Sequence, residues 1–343
     1  MSGQRVVWRL LAVMLILTTA GCTSVSYYSQ SVTGHLALIS SKRPVSAWLA
    51  DEESSPELKR KLRLSQEILH FAHSEMALPD NGSYRHYIDS GQKYIVWNVV
   101  ATPEFSLQPL QPCFWIVGCL SYRGYYARES AEALAAEYRL QGLDVMVGGS
   151  RAYSTLGWLS DPLLNTLLTG PDWALAEVMF HELAHQRLYI DDDSAFNEAF
   201  ATAVAEEGVQ RWLQQQGEEA EIVRYLKQQQ RRRQFNQLLL TTRGRLQQLY
   251  RSEQPSEALR SEKKRLFTTL QQEYAQLQQL WDGYSGYDRW MERALNNAHL
   301  AQIATYYEQV PCFQKMIEES GGEMERFYLQ AAQFSTMARR CVA

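Results

Sequence analysis

Phe180-His181-Glu182-Leu183-Ala184-His185-Gln186, followed after an acidic turn by Phe196-Asn197-Glu198-Ala199-Phe200-Ala201-Thr202, is the stretch on which the reading of this chain turns. On a helix, residues four apart share a face, so His181 and His185 point two imidazoles at one ion. Glu182 stands one position round from His181, close enough to reach a water beside that ion without ligating it. Two ligands do not close a site. Glu198 lies thirteen positions past His185, and a chain doubling back through Asp191-Asp192-Asp193 brings it to the same ion on an antiparallel second helix. Asp191, Asp192, Asp193 and Glu206 are the rival ligands; Glu206, two turns beyond Glu198 on the same face, also suits a supporting role behind the ligands. Imidazole and carboxylate donors suit zinc, with a fourth position left for water. Such a set supports hydrolysis: the metal lowers the water's pKa and polarises a carbonyl while the spare carboxylate takes the proton. With seven His in 343 residues, a chance HExxH arises in on the order of 1% of such chains, so the second motif adds weight that the first lacks alone.

Outward from these motifs the pattern is helical on one side. Gly170-Pro171 precede an expected helix over 172–188, and a second helix starts near Asp193 or Ser194, both good caps. From about 218 to 281 the chain is rich in Gln, Arg, Leu and Glu. Phe235, Leu238, Thr242, Leu246 and Leu249, then Leu266, Leu270, Tyr274, Leu277 and Trp281, recur at helical steps, and Pro255 divides them into two long antiparallel helices. Residues 287–343 also read as mostly helical. Upstream, 94–101, 114–117 and 143–147 have the β-branched and aromatic content of strands. The segment 121–126 reads as a strand end and turn, and 127–140 as a helix stopped at Gln141-Gly142. Residues 23–90 read as helical, with Ser54-Ser55-Pro56 as a start.

The N-terminus reads as an address. Residues 1–21 have Arg5 and Arg9 followed by an apolar run over 10–17 that is too short for a stop-transfer span. Thr19-Ala20-Gly21-Cys22 resembles the bacterial lipobox, in which cleavage precedes the cysteine and lipid is attached to it. Thr23 stands where Asp would signal inner-membrane retention, which implies a body held in the periplasm at the outer membrane by acyl chains on Cys22. The remaining Cys113, Cys119, Cys312 and Cys341 are an even set in an oxidising compartment, so disulfides are expected. Pairings 113–119 and 312–341 form one of three connectivities. A composition of 45% hydrophobic and 21% charged residues excludes a disordered or multi-span chain. The formal charge is -4, and Arg231-Arg232-Arg233 reads as a solvated face, so nucleic acid is not expected as a partner. No linker divides residues 22–343. They are expected to form one domain, with a catalytic core about 92–215 and a helical part about 216–343.

Residues 181–186 and 197–202 together resemble the zinc aminopeptidases of the gluzincin group, whose motifs read HELAHQ and NEGFA followed by Ser or Thr. Ala199 replaces the Gly here, and the gap between motifs is shorter. Across the mature chain, Glu104-Phe105-Ser106, Cys113 with Cys119, Tyr122-Arg123-Gly124, the string 153–158 and Asn296-Asn297-Ala298 make it similar to a family of bacterial lipoproteins classed as aminopeptidases. The resemblance implies an α+β fold with a thermolysin-like zinc-peptidase core, a sheet preceding the HExxH helix, and a largely helical C-terminal part. It also implies zinc on His181, His185 and Glu198, Glu182 as general base and a peptide substrate. The amine-reading G-x-M-E-N motif is absent; Glu104 is the weak candidate anchor, with a surface carboxylate the favoured reading.

In such enzymes an edge strand pairs with the substrate and a Tyr or His steadies the oxyanion. The strand 143–147 with Gly148-Gly149, the string 153–158, and Tyr306 or Tyr307 are the candidates, each weighed against a plain place in core or turn. His35, His70, His73, His86 and His299 read as structural or surface residues. The expected function is a zinc-dependent peptidase, aminopeptidase before endopeptidase. The alternative is a non-catalytic envelope lipoprotein with a structural or vestigial metal, against which the intact Glu182 argues. Nothing in the sequence specifies an oligomeric state.

Overall fold

Capping and strand pairing set the first third of the chain. In the computed structural model, which describes residues 30, 33–34, 36, 38–114, 118–152, 154–155, 159–307 and 309–336, β1 (Arg43–Pro44) runs into α1 (Val45–Ala50). In α2 (Pro56–Ser74), Ser55 caps the start by accepting from the Leu58 amide at 3.2 Å, and Pro56 takes the first helical position, where no N–H is needed. The helical reading of 23–90 fails beyond Ser74. Ala77 and Tyr84 take positive φ, the chain turns, and β2 (His86–Ile88) pairs antiparallel with β1. The leader 1–21, Cys22 and His35 lie outside the described residues.

The central sheet follows the alternation of its strands. β3 (Val96–Thr102) is flanked by a hairpin, β4 (Cys113–Phe114) and β5 (Gly118–Cys119), whose ends are joined by the Cys113–Cys119 disulfide. Residues 115–117 of the expected strand are outside the described set. β6 (Arg123–Tyr125), α3 (Arg128–Leu140) and β7 (Asp144–Ser150) complete the unit, with strand order β6-β3-β7, all antiparallel. Val99, Ala101 and Val145 face Ala131 and Ala135 of α3, while Val100 and Met146 face the other way onto Ala298. β7 runs straight through Gly148 and Gly149. A Cβ on Gly149 would lie 2.3 Å from the Tyr94 ring, so this glycine's bareness is taken up by Tyr94, not by a substrate backbone. β8 (Leu163–Leu164) pairs in parallel with β2 to give a second small sheet, β1-β2-β8.

Helices make up the rest: α4 (Asp172–Arg187), α5 (Ser194–Gln216), α6 (Glu219–Tyr250), α7 (Ser256–Leu280), α8 (Asp288–Met291), α9 (Asn297–Tyr307), α10 (Val310–Glu319) and α11 (Met324–Thr336). The main core gathers Leu62 and Ile68 of α2, Phe180 and Leu183 of α4, Phe200 of α5 and Phe327 of α11. Burying each such side chain contributes about 1.5–3 kcal/mol. The core therefore joins the two motif helices to both ends of the described chain. A second core lies between α6 and α7, around Leu239, Leu246, Leu266 and Leu270. The expected solvated face at 231–233 is corrected by the structure. Arg231 stacks on Tyr284 at 4.1 Å and Arg232 is largely buried against Glu177 at 2.6 Å, because that side of α6 packs on α4; only Arg233 is exposed. Among the described residues, no helix is long and apolar enough to cross a membrane.

Candidate metal centre

The two motif helices approach closely because α5 is built from small residues. Ala199, Ala201, Ala203 and Ala205 are fully or almost fully buried, and Gly208 lets the Phe180 ring of α4 press against its backbone, where a Cβ would come within 2.6 Å. Between the helices the chain reverses through residues 188–193. Asn197 holds that reversal: its Oδ1 accepts from the Ile190 amide at 2.8 Å and its Nδ2 donates to the Ile190 carbonyl at 2.7 Å. Asp193 caps α5 by accepting from the Phe196 amide at 3.0 Å. With the turn fixed from both sides, the next residue, Glu198, faces α4.

Three ligand atoms meet there. His181 Nε2 lies 3.2 Å from Glu198 Oε2, His185 Nε2 lies 3.1 Å from His181 Nε2 and 3.7 Å from Glu198 Oε2. A tetrahedral zinc with bonds of ~2.0–2.1 Å has its donor atoms about 3.3 Å apart. The spacing and the donor set therefore fit one such ion. His181 and Glu198 retain 21% and 23% side-chain exposure against 6% for His185, so the group is open on one side. Among the described residues, His185 Nδ1 is buried with no hydrogen-bond partner, and its ring meets those of His181 and Tyr189 edge-on.

The electrostatics ask for a cation. Burial pushes the Glu198 carboxyl up, but its hydrogen bonds to His181 and His185 outweigh that and bring it down to about 2. Burial likewise works against a charged His181, yet the hydrogen bond and charge of Glu198 hold it above the usual histidine value. A proton between them performs the neutralising task that a metal ion would perform. Glu182, the half-buried neighbour, has its carboxyl raised first of all by burial, with the two histidines opposing.

The other predicted residues go elsewhere. Asp193 is a cap, and Asp192 accepts from the Cys119 amide at 3.2 Å, which ties the disulfide hairpin to the reversal; Asp191 is exposed. None of the three joins His181 and His185. Glu206 is buried and accepts from Gln314 at 2.6 Å, with Arg233 at 3.6 Å, so it binds α10 and α6 and makes no contact with the triad among the described residues. Glu104 is committed to Arg260 at 2.7 Å. Tyr307 is hydrogen-bonded to Arg232, and the side chain of Tyr306 is outside the described set. His73 bonds the Leu78 carbonyl at 3.1 Å and His299 bonds Asn296 at 2.9 Å. Cys312 is disulfide-bonded, while Cys341 lies outside the described residues.

Sequence reasoning missed two features beside the triad. Glu177, one turn before His181 on the same stripe, accepts from Arg232 at 2.6 Å and from Gln229 at 3.1 Å, fastening α6 to α4. Asp161 bonds Gln186 at 3.2 Å. The i−4 spacing of Glu177 was a visible signal; Asp161 sits in a loop with no periodic signal at all. A family model described as "Putative aminopeptidase" matches residues 26–341. No curated protein and no solved structure matches the chain.

Proposed function

Because the chain belongs to the family described as "Putative aminopeptidase", we propose that it is a zinc-dependent peptidase, an aminopeptidase in preference to an endopeptidase, built on a gluzincin-like arrangement. The observation that carries this reading is the convergence of His181, His185 and Glu198 ligand atoms within 4.8 Å of one another, directly beside Glu182. Bound there, zinc would polarise a peptide carbonyl and lower the pKa of the attacking water. Glu182 accepts a proton from that water as it attacks and delivers it to the departing amine, so one water is consumed and a carboxylate and an amine are released. Its burial favours the protonated form more than in water, which suits a group that must both take and give a proton near neutral pH.

The leader and lipobox support a periplasmic body anchored to the outer membrane through Cys22, and the Cys113–Cys119 disulfide fits an oxidising compartment. The test compares the parent chain with Glu182→Gln on unblocked and N-acetylated peptides, with metal analysis of both. The variant is expected to keep one zinc per chain while hydrolysis falls by about 10²-fold or more. Preference for unblocked peptides marks the aminopeptidase. A variant as active as the parent would exclude the mechanism.

A further inference from the structure

One buried acid, Asp161, bonds the helix that carries Glu182 through Gln186. Asp161 is 1% exposed, and burial pushes its carboxyl up. No ion pair joins it to a basic side chain among the described residues; Lys42, whose charge it feels, bonds the carbonyl of Ser160 at 2.9 Å. Four neutral donors hold the carboxylate. Thr155 gives its amide at 3.0 Å and its hydroxyl at 2.8 Å, Ser154 its hydroxyl at 3.3 Å and Gln186 its Nε2 at 3.2 Å. A buried carboxylate without a counter-charge costs stability, and such groups persist where a site needs them.

The fourth donor connects this acid to the metal helix. Gln186 follows His185 and stands one turn past Glu182, so it shares the side of α4 that carries Glu182. Its amide is gripped at both ends, since Oε1 also accepts from Asn81 Nδ2 at 2.8 Å. The turn that supplies Asn81 is fastened to Asp161 as well. The Asp161 amide donates to Ser83 Oγ at 3.1 Å, and the Tyr84 amide donates to the Asp161 carbonyl at 2.7 Å. Tyr84 is held at φ 62° with its hydroxyl buried and, among the described residues, unpartnered, a strained arrangement that packing elsewhere must hold in place. Two stretches, 81–84 and the described residues around Thr155 and Asp161, are thereby locked onto one side of the metal helix.

We propose, resting on the peptidase reading above, that Asp161 is a positioning residue: its grip on Gln186 and Thr155 fixes the wall along which a peptide reaches Glu182. The test uses the full chain and three variants. Asp161→Asn keeps the shape and an acceptor for Thr155 but presents a donor to the Gln186 amide, so the grip breaks and the buried charge disappears. Asp161→Asn with Gln186→Glu restores that bond with donor and acceptor exchanged, and leaves an acceptor for Asn81. Gln186→Ala breaks the grip without touching the loop, and decides the matter if the first variant fails to fold.

On unblocked peptides, Asp161→Asn and Gln186→Ala are expected to raise KM about tenfold with kcat within about twofold, the pattern of lost substrate binding. Zinc content stays at the parent's level, and the Tm of Asp161→Asn is equal to or above the parent's. The double variant returns KM to within about threefold of the parent. A parent-like KM in Asp161→Asn, a loss confined to kcat, a fall in Tm with unchanged kinetics, or no rescue in the double variant each overturns the proposal and leaves the peptidase standing. A parent that hydrolyses no peptide overturns the peptidase reading, and a substrate role for Asp161 falls with it.

Discussion

A proton shared by His181 and Glu198 competes with any cation for the same atoms. Because Glu198 holds His181 above the ordinary histidine value, His181 keeps its proton to a higher pH than a free imidazole, and that proton must leave before an ion could bind. Lowering the pH favours the proton. Zinc affinity, read by chelator competition between pH 7.5 and 5.5, is expected to fall by about tenfold per pH unit once His181 is protonated. A flat profile across that range contradicts the proton-held triad. At this scale the sequence was most legible where a residue's role follows from spacing along one helix, as for His181, Glu182 and His185. It was least legible for Asp161, whose partners Thr155, Gln186 and Ser83 come from three separate stretches. Asn197 lies between these cases: it stood in the quoted motif, but its two bonds to Ile190 appear only once the reversal is folded.

The triad depends on how near α5 comes to α4, and Gly208 sets that distance through the Phe180 ring. An aromatic ring in a packed core cannot swing aside, so Gly208→Ala forces the helices apart at a cost of about 1–3 kcal/mol. Thermal unfolding is expected to show the lower Tm, and zinc retention should weaken with it as Glu198 withdraws. An unchanged Tm contradicts close helix packing as the basis of the site. The helices α4 and α5 could be read from Gly170-Pro171 and the cap at Asp193, and α6 and α7 from the steps of their apolar residues and the break at Pro255. The stretch after Ser74 could not. The helix ends at Ser74, and although Pro79 and Asn81-Gly82 mark a turn, the positive φ at Ala77 and Tyr84 that shapes it falls on residues that give no such signal. The run 231–233 misled for another reason: a charged triplet looks solvated until its partners, Glu177 and Tyr284, arrive from distant elements.

Across the whole molecule, the small sheets and the α6–α7 hairpin form a frame around a two-helix centre. The main core reaches from α2 to α11, so α4 and α5 are held by segments near both ends of the described chain. Asp172, at the start of α4, adds ion pairs to Arg60 at 2.7 Å and Lys61 at 2.8 Å. That frame could not be inferred from composition, because each layer is stabilised by contacts between residues far apart in sequence. Its purpose in this account is to hold three donor atoms around one ion, and X-ray absorption at the zinc edge on the purified, zinc-loaded chain tests that most directly. The account predicts one zinc per chain with two imidazole nitrogens and oxygen at ~2.0–2.2 Å, and loss of that signal in His185→Ala. Sulfur in the coordination shell, or stoichiometric zinc that survives His185→Ala unchanged, would contradict it.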